Sequence, residues 1–197
     1  IMSTLKVDQI LKRTGTGTIT LGQSGDTISI PSGTTLAVSG TATGVGGDNK
    51  PIFVASCTSN LHNLADSATV LVPYNNEVTD DDNVFTNTAS NYKFTVPSGK
   101  AGKYFIGASV YIANAANKVV NAWMGIYKNG SSYLIKANQP HYDSESDRMQ
   151  FSTTIIADLA VADYLQVYLF ANIQSSGTWS IKEDSDGTYF FANKLIT

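Results

Sequence analysis

The fold is decided by the stretch Tyr92-Lys93-Phe94-Thr95-Val96-Pro97-Ser98-Gly99-Lys100-Ala101-Gly102-Lys103-Tyr104-Phe105-Ile106. Aromatic and β-branched residues lie on both sides of a Pro-Ser-Gly turn signal, and no apolar repeat of helical period passes through the stretch. The second half places Tyr104, Phe105 and Ile106 next to one another, so bulky side chains point to both faces of one strand. The stretch therefore predicts two consecutive β-strands, of which the second is covered on both faces.

The same pattern of strand-like segments and turns extends in both directions, from residue 51 to the C-terminus. Ten short strand-like segments are separated by turn residues, and they read PIFVASCT, TVLVPY, NYKFTVPS, KYFIGASVYIA, NAWMGIYKNG, SSYLIKA, RMQFSTTIIADL, DYLQVYLFANI, GTWSI and TYFFANKLIT. Asn129-Gly130 is a strong hairpin signal, because both turn positions need a positive φ. Turn-delimited strands without a helical period predict an all-β sandwich or jelly roll.

The composition limits the classes of function. Hydrophobic residues make up 42% of the 197 positions, which is ample for a globular core, whereas charged residues make up 15% and the net charge is -3. Lysine and arginine are scattered singly, so no basic face for nucleic acid is expected. No apolar run reaches the length that spans a bilayer, which excludes insertion by a transmembrane helix. The single cysteine, Cys57, is expected to be a small buried side chain.

A different pattern fills residues 14–50. Apolar pairs at alternating positions recur between Gly, Ser and Pro turns, and the pairs are Ile19 with Leu21, Ile28 with Ile30, and Leu36 with Val38. A segment this small cannot build its own core, and it contains neither a disulfide nor a metal-ligand cluster. We therefore expect three copies of the chain to bury these pairs in a short trimeric β shaft. A flexible Gly/Ser/Thr linker is the alternative.

The chain is thus expected to have three parts, divided by changes in composition. Residues 1–13 carry clustered cations between the apolar residues Leu5, Val7, Ile10 and Leu11, and they predict either a docking peptide or a disordered terminus. Residues 14–50 form the β-rich repeat. The glycine-rich run GVGGDNKP then marks the boundary to a third part, residues 51–197.

The third part resembles the ten-stranded jelly roll of the complement first-component globular head and the tumour necrosis factor superfamily. The stretch at residues 92–106 is similar to the family's Phe-Thr-x-Pro followed by Gly-x-Tyr-x-Phe, and Ile126-Tyr127-Lys128-Asn129-Gly130 is similar to its hairpin. The closing segment at residues 189–196 also matches. Ala162 departs from the family by replacing a Gly before Asp163, and Ala192-Asn193 replaces a Ser/Gly pair.

This resemblance implies a homotrimer with the first and last strands close together. Aromatic residues in the strands are then expected in the core of the head or at its trimer interface, and they are Phe94, Tyr104, Phe105, Tyr168, Phe170, Tyr189 and Phe191. Trimerisation would also cover the strands that are apolar on both faces.

The N-terminal phrase Met2-Ser3-Thr4-Leu5-Lys6-Val7-Asp8 and the repeat after it resemble the start of fibre and appendage proteins of tailed bacteriophages. With no secretory signal pattern at the N-terminus, this implies a virion structural protein that assembles in the host cytoplasm. Residues 1–13 would bind other virion proteins, and the head would attach to a host-surface glycan or protein. A capsid decoration, cement or head-fibre protein and a cellular trimeric adhesin or lectin are the alternatives.

Residues for catalysis are sparse, and no enzymatic activity is expected. His62 and His141 lie in polar stretches without a nucleophile motif, and the chain has too few His and Cys for a zinc site. The acidic stretches at residues 80–82 and 143–147 leave calcium as an open alternative, although neither has a specific ligand spacing. Tyr142 and Asp143 are the candidate receptor-contacting residues, and no other cofactor is expected.

Overall fold

The computed structural model describes residue 10 and residues 17–39, 49–88, 90–113, 115, 117–130, 132–140, 148–183 and 187–195. The chain divides into two units, Ile1–Val45 and Gly46–Thr197. Several predicted residues lie outside the described residues, namely Leu5, Val7, Leu11, Tyr142 and Asp143. Their proposed docking and receptor roles stay predictions.

In the N-terminal unit, residues 17–39 contain two turns and no strand. Asp26 N donates to Gln23 O over 3.0 Å, and Thr34 N donates to Pro31 O over 3.1 Å. All the apolar side chains of the predicted shaft are exposed, by 45% to 62%: Ile19, Leu21, Ile28, Ile30, Leu36 and Val38. Residues 17–39 of one chain therefore form no strand pair. Burial of the apolar pairs between chains stays a prediction.

The C-terminal unit contains thirteen strands among its described residues. Their bounds are β1 Ile52–Ser56, β2 Leu61–Leu64, β3 Ala68–Leu71, β4 Asn76–Asp80, β5 Phe85–Thr86, β6 Lys93–Thr95, β7 Gly102–Ala113, β8 Val119–Lys128, β9 Ser132–Pro140, β10 Met149–Leu159, β11 Tyr164–Ile173, β12 Trp179–Ile181 and β13 Tyr189–Lys194. A single 3₁₀ turn, Gln174–Ser176, follows β11. Among the described residues no helix is long and apolar enough to cross a membrane.

These strands form a jelly roll of two antiparallel sheets. The first sheet has the order β2-β12-β7-β13-β1-β4, and β10 also pairs with β7. The second sheet has the order β5-β6-β11-β8-β9, and β3 also pairs with β11. The first and last strands are neighbours, with Val54 opposite Phe191, as the family resemblance implies.

All ten predicted segments contain a strand, and three short strands add to them. The three additional strands are β2, β4 and β5, and their sequences are LHNL, NEVTD and FT. They carry little apolar alternation, so only their pairing with β12, β1 and β6 makes them strands.

The core lies between the two sheets and is built by alternation along the strands. In β7 the side chains of Tyr104 and Ile106 point inward and are fully buried. Phe94 of β6 packs edge to face on Tyr104, with ring centroids 5.6 Å apart. Burial, followed by the charge of Asp82, raises the pKa of Tyr104 to about 12. Its hydroxyl therefore stays protonated and donates to Lys100 O over 2.7 Å.

Candidate functional site

The first sheet presents an aromatic surface on the side that faces away from the core. Because Tyr104 and Ile106 point inward, Phe105 and Gly107 face outward, and Phe105 is 38% exposed. Pairing with β10 and β13 places Ile156 opposite Phe105 and Phe191 opposite Gly107. We call this surface the first outer face and define it by Phe105, Gly107, Ile156, Tyr189 and Phe191.

The rings of the first outer face pack on one another and on bare backbone. Phe191 lies between Phe105 and Tyr189, with centroid distances of 5.2 and 6.4 Å. A Cβ atom on Gly107 would lie 2.5 Å from Phe191 Cε1, so the ring occupies the place where a side chain would stand. Ile156 is 59% exposed. The result is an apolar surface that the described residues of one chain leave partly open to water.

Polar groups lie close to the first outer face. Lys103 and Asp158 form an exposed ion pair, with Nζ to Oδ2 at 2.9 Å. Ser109 Oγ donates to Gly187 O over 2.7 Å and lies within 3.0 Å of Phe151 O. Asn193, opposite Phe105, has a buried Oδ1 without a hydrogen-bond partner among the described residues.

The second sheet has an aromatic outer surface of its own. Trp123 of β8 and Phe170 of β11 are opposite each other and stack with ring planes 8° apart. Tyr127 and Tyr168 meet edge to face at 4.8 Å, and Lys136 Nζ lies 4.4 Å from the centre of the Trp123 ring. We call this surface the second outer face and define it by these five residues.

A cavity of about 380 Å³ adjoins the second outer face. Its walls come from β2, β3, β11 and the loops after β3 and before β6, and they are formed by Leu61, Leu71, Pro73, Ser90, Tyr92 and Tyr168. Tyr168 and Leu71 are opposite each other in the β11–β3 pair. The cavity combines two phenol rings and a serine hydroxyl with aliphatic walls.

The seven aromatic residues predicted for the core or the trimer interface occupy three different places. Phe94 and Tyr104 are core residues with no exposed surface. Phe105, Tyr189 and Phe191 lie on the first outer face, and Tyr168 and Phe170 lie on the second. Trp123 and the cavity were not predicted from the sequence, although the aromatic residues Trp123 and Tyr127, both on one face of one strand, are a usable signal.

A polar cluster joins the β8–β9 hairpin to the turn before β11. The carboxylate of Asp163 accepts hydrogen bonds from Lys128 Nζ at 2.6 Å, Asn129 Nδ2 at 2.8 Å and Ala160 N at 2.7 Å. Burial alone would raise the pKa of Asp163, but these hydrogen bonds and the Lys128 charge outweigh it and hold the pKa below its usual value. The cluster is a brace between two loops, in which the Asp163 carboxylate is buried while Asn129 and Ala160 are exposed.

Two side chains of types that serve in catalysis, Cys57 and His62, lie in the described part of the chain. Cys57 is buried, donates to Ser59 O over 3.2 Å, and has a pKa raised mainly by burial, which leaves the thiol unreactive. His62 is exposed on β2. Among the described residues, no cluster of three or more His, Cys, Asp or Glu is placed to hold a metal ion. Asp80 instead accepts from Val84 N and Phe85 N at 2.9 and 3.0 Å.

Comparison with known proteins identifies the fold. No family model matches the sequence, and no curated protein matches it. Crystal structures of murine APRIL at pH 8.5 and pH 5.0 match with a TM-score of 0.52, at 14% and 13% identity, over 73% of this chain and 98% of that chain. The globular domain of a zebrafish complement 1qA protein has a TM-score of 0.48 at 13% identity, over 75% of this chain and 98% of that one.

The likeness to murine APRIL shows the fold alone. The C-terminal unit is a jelly roll, and the likeness spans nearly all of that chain at low identity. The fold predicted from the Phe94 to Tyr104 phrase is therefore confirmed.

Proposed function

We propose that this chain is a homotrimeric fibre or appendage subunit of a tailed-phage virion. Its N-terminus anchors it to other virion proteins, and its jelly-roll head attaches to the host surface. The observation that carries the proposal is the apolar surface that one chain leaves exposed in both units. The roles are binding and assembly, and no catalysis is involved.

In the head, the first outer face is the proposed trimer interface. It combines Phe105, Ile156 and Phe191 on one side of a sheet whose other side is the core. Each apolar side chain that is removed from water there stabilises the trimer by about 25 cal/mol per Å². The Phe191 ring packs directly on the backbone of Gly107, where a side chain would otherwise stand. The ring therefore lies close to the sheet, so another copy can approach closely.

In the N-terminal unit, the exposed alternating pairs support the same conclusion. Ile28 is 62% exposed and Ile30 is 45% exposed within one chain. Partner chains are the available cover, because a repeat of this length has too few apolar residues for a core of its own. Three chains that wind together would bury the pairs and leave the intervening Thr and Ser in water.

Two measurements test the proposal. Mass photometry of the full chain is expected to give a species of three times the 21.0 kDa chain mass. Mass spectrometry of purified particles, with labelled-antibody electron microscopy, is expected to place the protein on the tail. A stable monomer would contradict the assembly, and labelling of the capsid shell would favour the decoration or cement role.

A cellular trimeric adhesin or lectin is the second candidate. It is favoured by the fold itself, which this chain shares with murine APRIL. Genes that encode portal, capsid or tail proteins beside this one would favour the virion role. Their absence, together with detection of the protein on the surface of an uninfected cell, would favour the cellular role.

A further inference from the structure

The cavity beside the second outer face has the composition of a sugar-binding site. Tyr92 and Tyr168 supply aromatic walls, Leu71 and Pro73 supply aliphatic ones, and Ser90 adds a hydroxyl. Its volume of about 380 Å³ lies within the range of about 300–1,000 Å³ that small-molecule sites have. We propose that this cavity binds a neutral hexopyranose, such as the terminal residue of a surface glycan.

The chemistry of the walls matches the two sides of a pyranose ring. One side of the ring is a patch of C–H groups, which pack on the negative face of an aromatic ring. Its edge carries hydroxyl groups, which need hydrogen-bond partners once they leave water. The hydroxyls of Tyr92 and Tyr168 have no hydrogen-bond partner among the described residues, so both are available to a sugar hydroxyl.

The described lining residues are all uncharged types, which favours a neutral sugar. None of the six lining residues is an Asp, Glu, Lys, Arg or His. An anionic sugar or a phosphate would need a cation or a convergent set of donors to replace its hydration. Lys93 Nζ lies over the Tyr164 ring and Lys136 Nζ over the Trp123 ring, and neither aromatic residue lines the cavity.

The walls are held in place before any ligand arrives. The backbone of Tyr168 is paired with a strand on each side, opposite Leu71 of β3 and Gly125 of β8. Val72 N donates to Val167 O over 2.9 Å, which anchors the chain just before Pro73. Ser90 has a φ of 70° in a turn where Asn91 N donates to Thr88 O, an uncommon conformation for a residue other than Gly. Preorganised walls lower the entropy lost on binding.

The site rests on the proposed attachment function for its biological role, but not on the trimer interface. Tyr168 belongs to the second sheet, whereas the proposed interface is the outer side of the first sheet. The cavity and the trimer can therefore be tested independently of each other.

The test is calorimetric titration of the full chain with galactose, glucose and N-acetylglucosamine, with sialic acid and a proline-rich peptide as competing ligand classes. Saturable binding of at least one neutral sugar is expected. Tyr168→Phe keeps the ring and removes one hydrogen bond worth about 1 kcal/mol, so it is expected to weaken binding about fivefold. Tyr168→Ala also removes the wall and is expected to abolish binding.

The matched control is Tyr164→Phe, because Tyr164 lies on the same strand and does not line the cavity. It is expected to leave sugar affinity unchanged. The inference is overturned by binding of sialic acid or the peptide alone, by no binding, or by equal loss in Tyr164→Phe and Tyr168→Phe. Mass photometry of each variant separates the two claims: a monomer that still binds sugar contradicts the trimer only, and a trimer that binds no sugar contradicts this site only.

Discussion

At the scale of single residues, Gly107 decides the shape of the first outer face. The ring of Phe191 fills the position of its missing side chain, and Thr154 Cγ2 would lie 2.9 Å from a Cβ atom there. Gly107→Ala is expected to lift the ring off the sheet, because neither the strand backbone nor the ring can overlap the new methyl group. Overpacking of this kind costs about 1–3 kcal/mol, which urea denaturation would measure.

The same substitution should weaken the trimer, since a raised ring prevents close approach of another copy. Mass photometry over a dilution series is expected to show more monomer for Gly107→Ala than for the natural chain. The control is the double variant Gly107→Ala with Phe191→Ala, which removes the clash with the ring and leaves only the contact with Thr154 Cγ2. It should be less destabilised than the sum of the two single variants. Simple additivity would contradict the contact.

At the scale of elements, the Asp163 cluster ties the β8–β9 hairpin to the turn before β11. Asp163→Asn removes the ion pair with Lys128, whose side chain is only 28% exposed. Hydrogen bonds to charged groups contribute about 1.5–3 kcal/mol each, so we expect the free energy of unfolding to fall by about 2 kcal/mol. Chemical denaturation at neutral pH measures this loss.

The contribution of Asp163 to the free energy of unfolding is expected to depend on pH. Because the pKa of Asp163 is lower in the folded chain, its stabilisation is complete above the unfolded value of about 3.9 and is lost as the pH falls through the folded value. Asp163→Asn should therefore flatten the loss of stability below pH ~4. The control is Asp81→Asn, whose pair with Lys50 is exposed and contributes about 0–1 kcal/mol. Equal acid sensitivity in both variants would contradict the role of Asp163.

The sequence predicts most strands correctly, but it does not show which side chains of a strand point to the core and which point outward. Long strands such as β7 and β11 carry enough apolar residues to be recognised, whereas β4, with the sequence NEVTD, exists only because β1 pairs with it. The prediction of which side of a strand faces the core fails for a different reason. In a strand that is apolar on both sides, Tyr104 and Phe105 look alike in the sequence, and only packing against the second sheet makes one of them core. The cavity was missed because its walls come from segments far apart in the chain.

At the scale of the whole molecule, the proposed trimer would involve both units. The N-terminal repeat and the first outer face both expose apolar side chains in one chain, and each could be buried by copies of itself. If both are buried in the same trimer, loss of either surface should raise the concentration that the trimer needs to persist. Substitutions that remove the apolar surface of one unit should leave the fold of the other unit unchanged.

The double variant Ile28→Asn with Ile30→Asn tests the contribution of the N-terminal repeat. Each fully buried Ile contributes about 1.5–3 kcal/mol, so we expect the trimer to dissociate at a concentration at least about tenfold higher. The jelly roll should keep its near-ultraviolet circular dichroism, because both positions lie in the other unit. The control is Thr27→Asn with Ser29→Asn, which places the same side chains at the alternate, polar positions of the same segment. If the repeat is buried between chains, the Ile variant weakens the trimer and the Thr27/Ser29 variant does not. If the repeat is a flexible linker, neither variant changes the trimer. Mass photometry across a dilution series distinguishes the two cases.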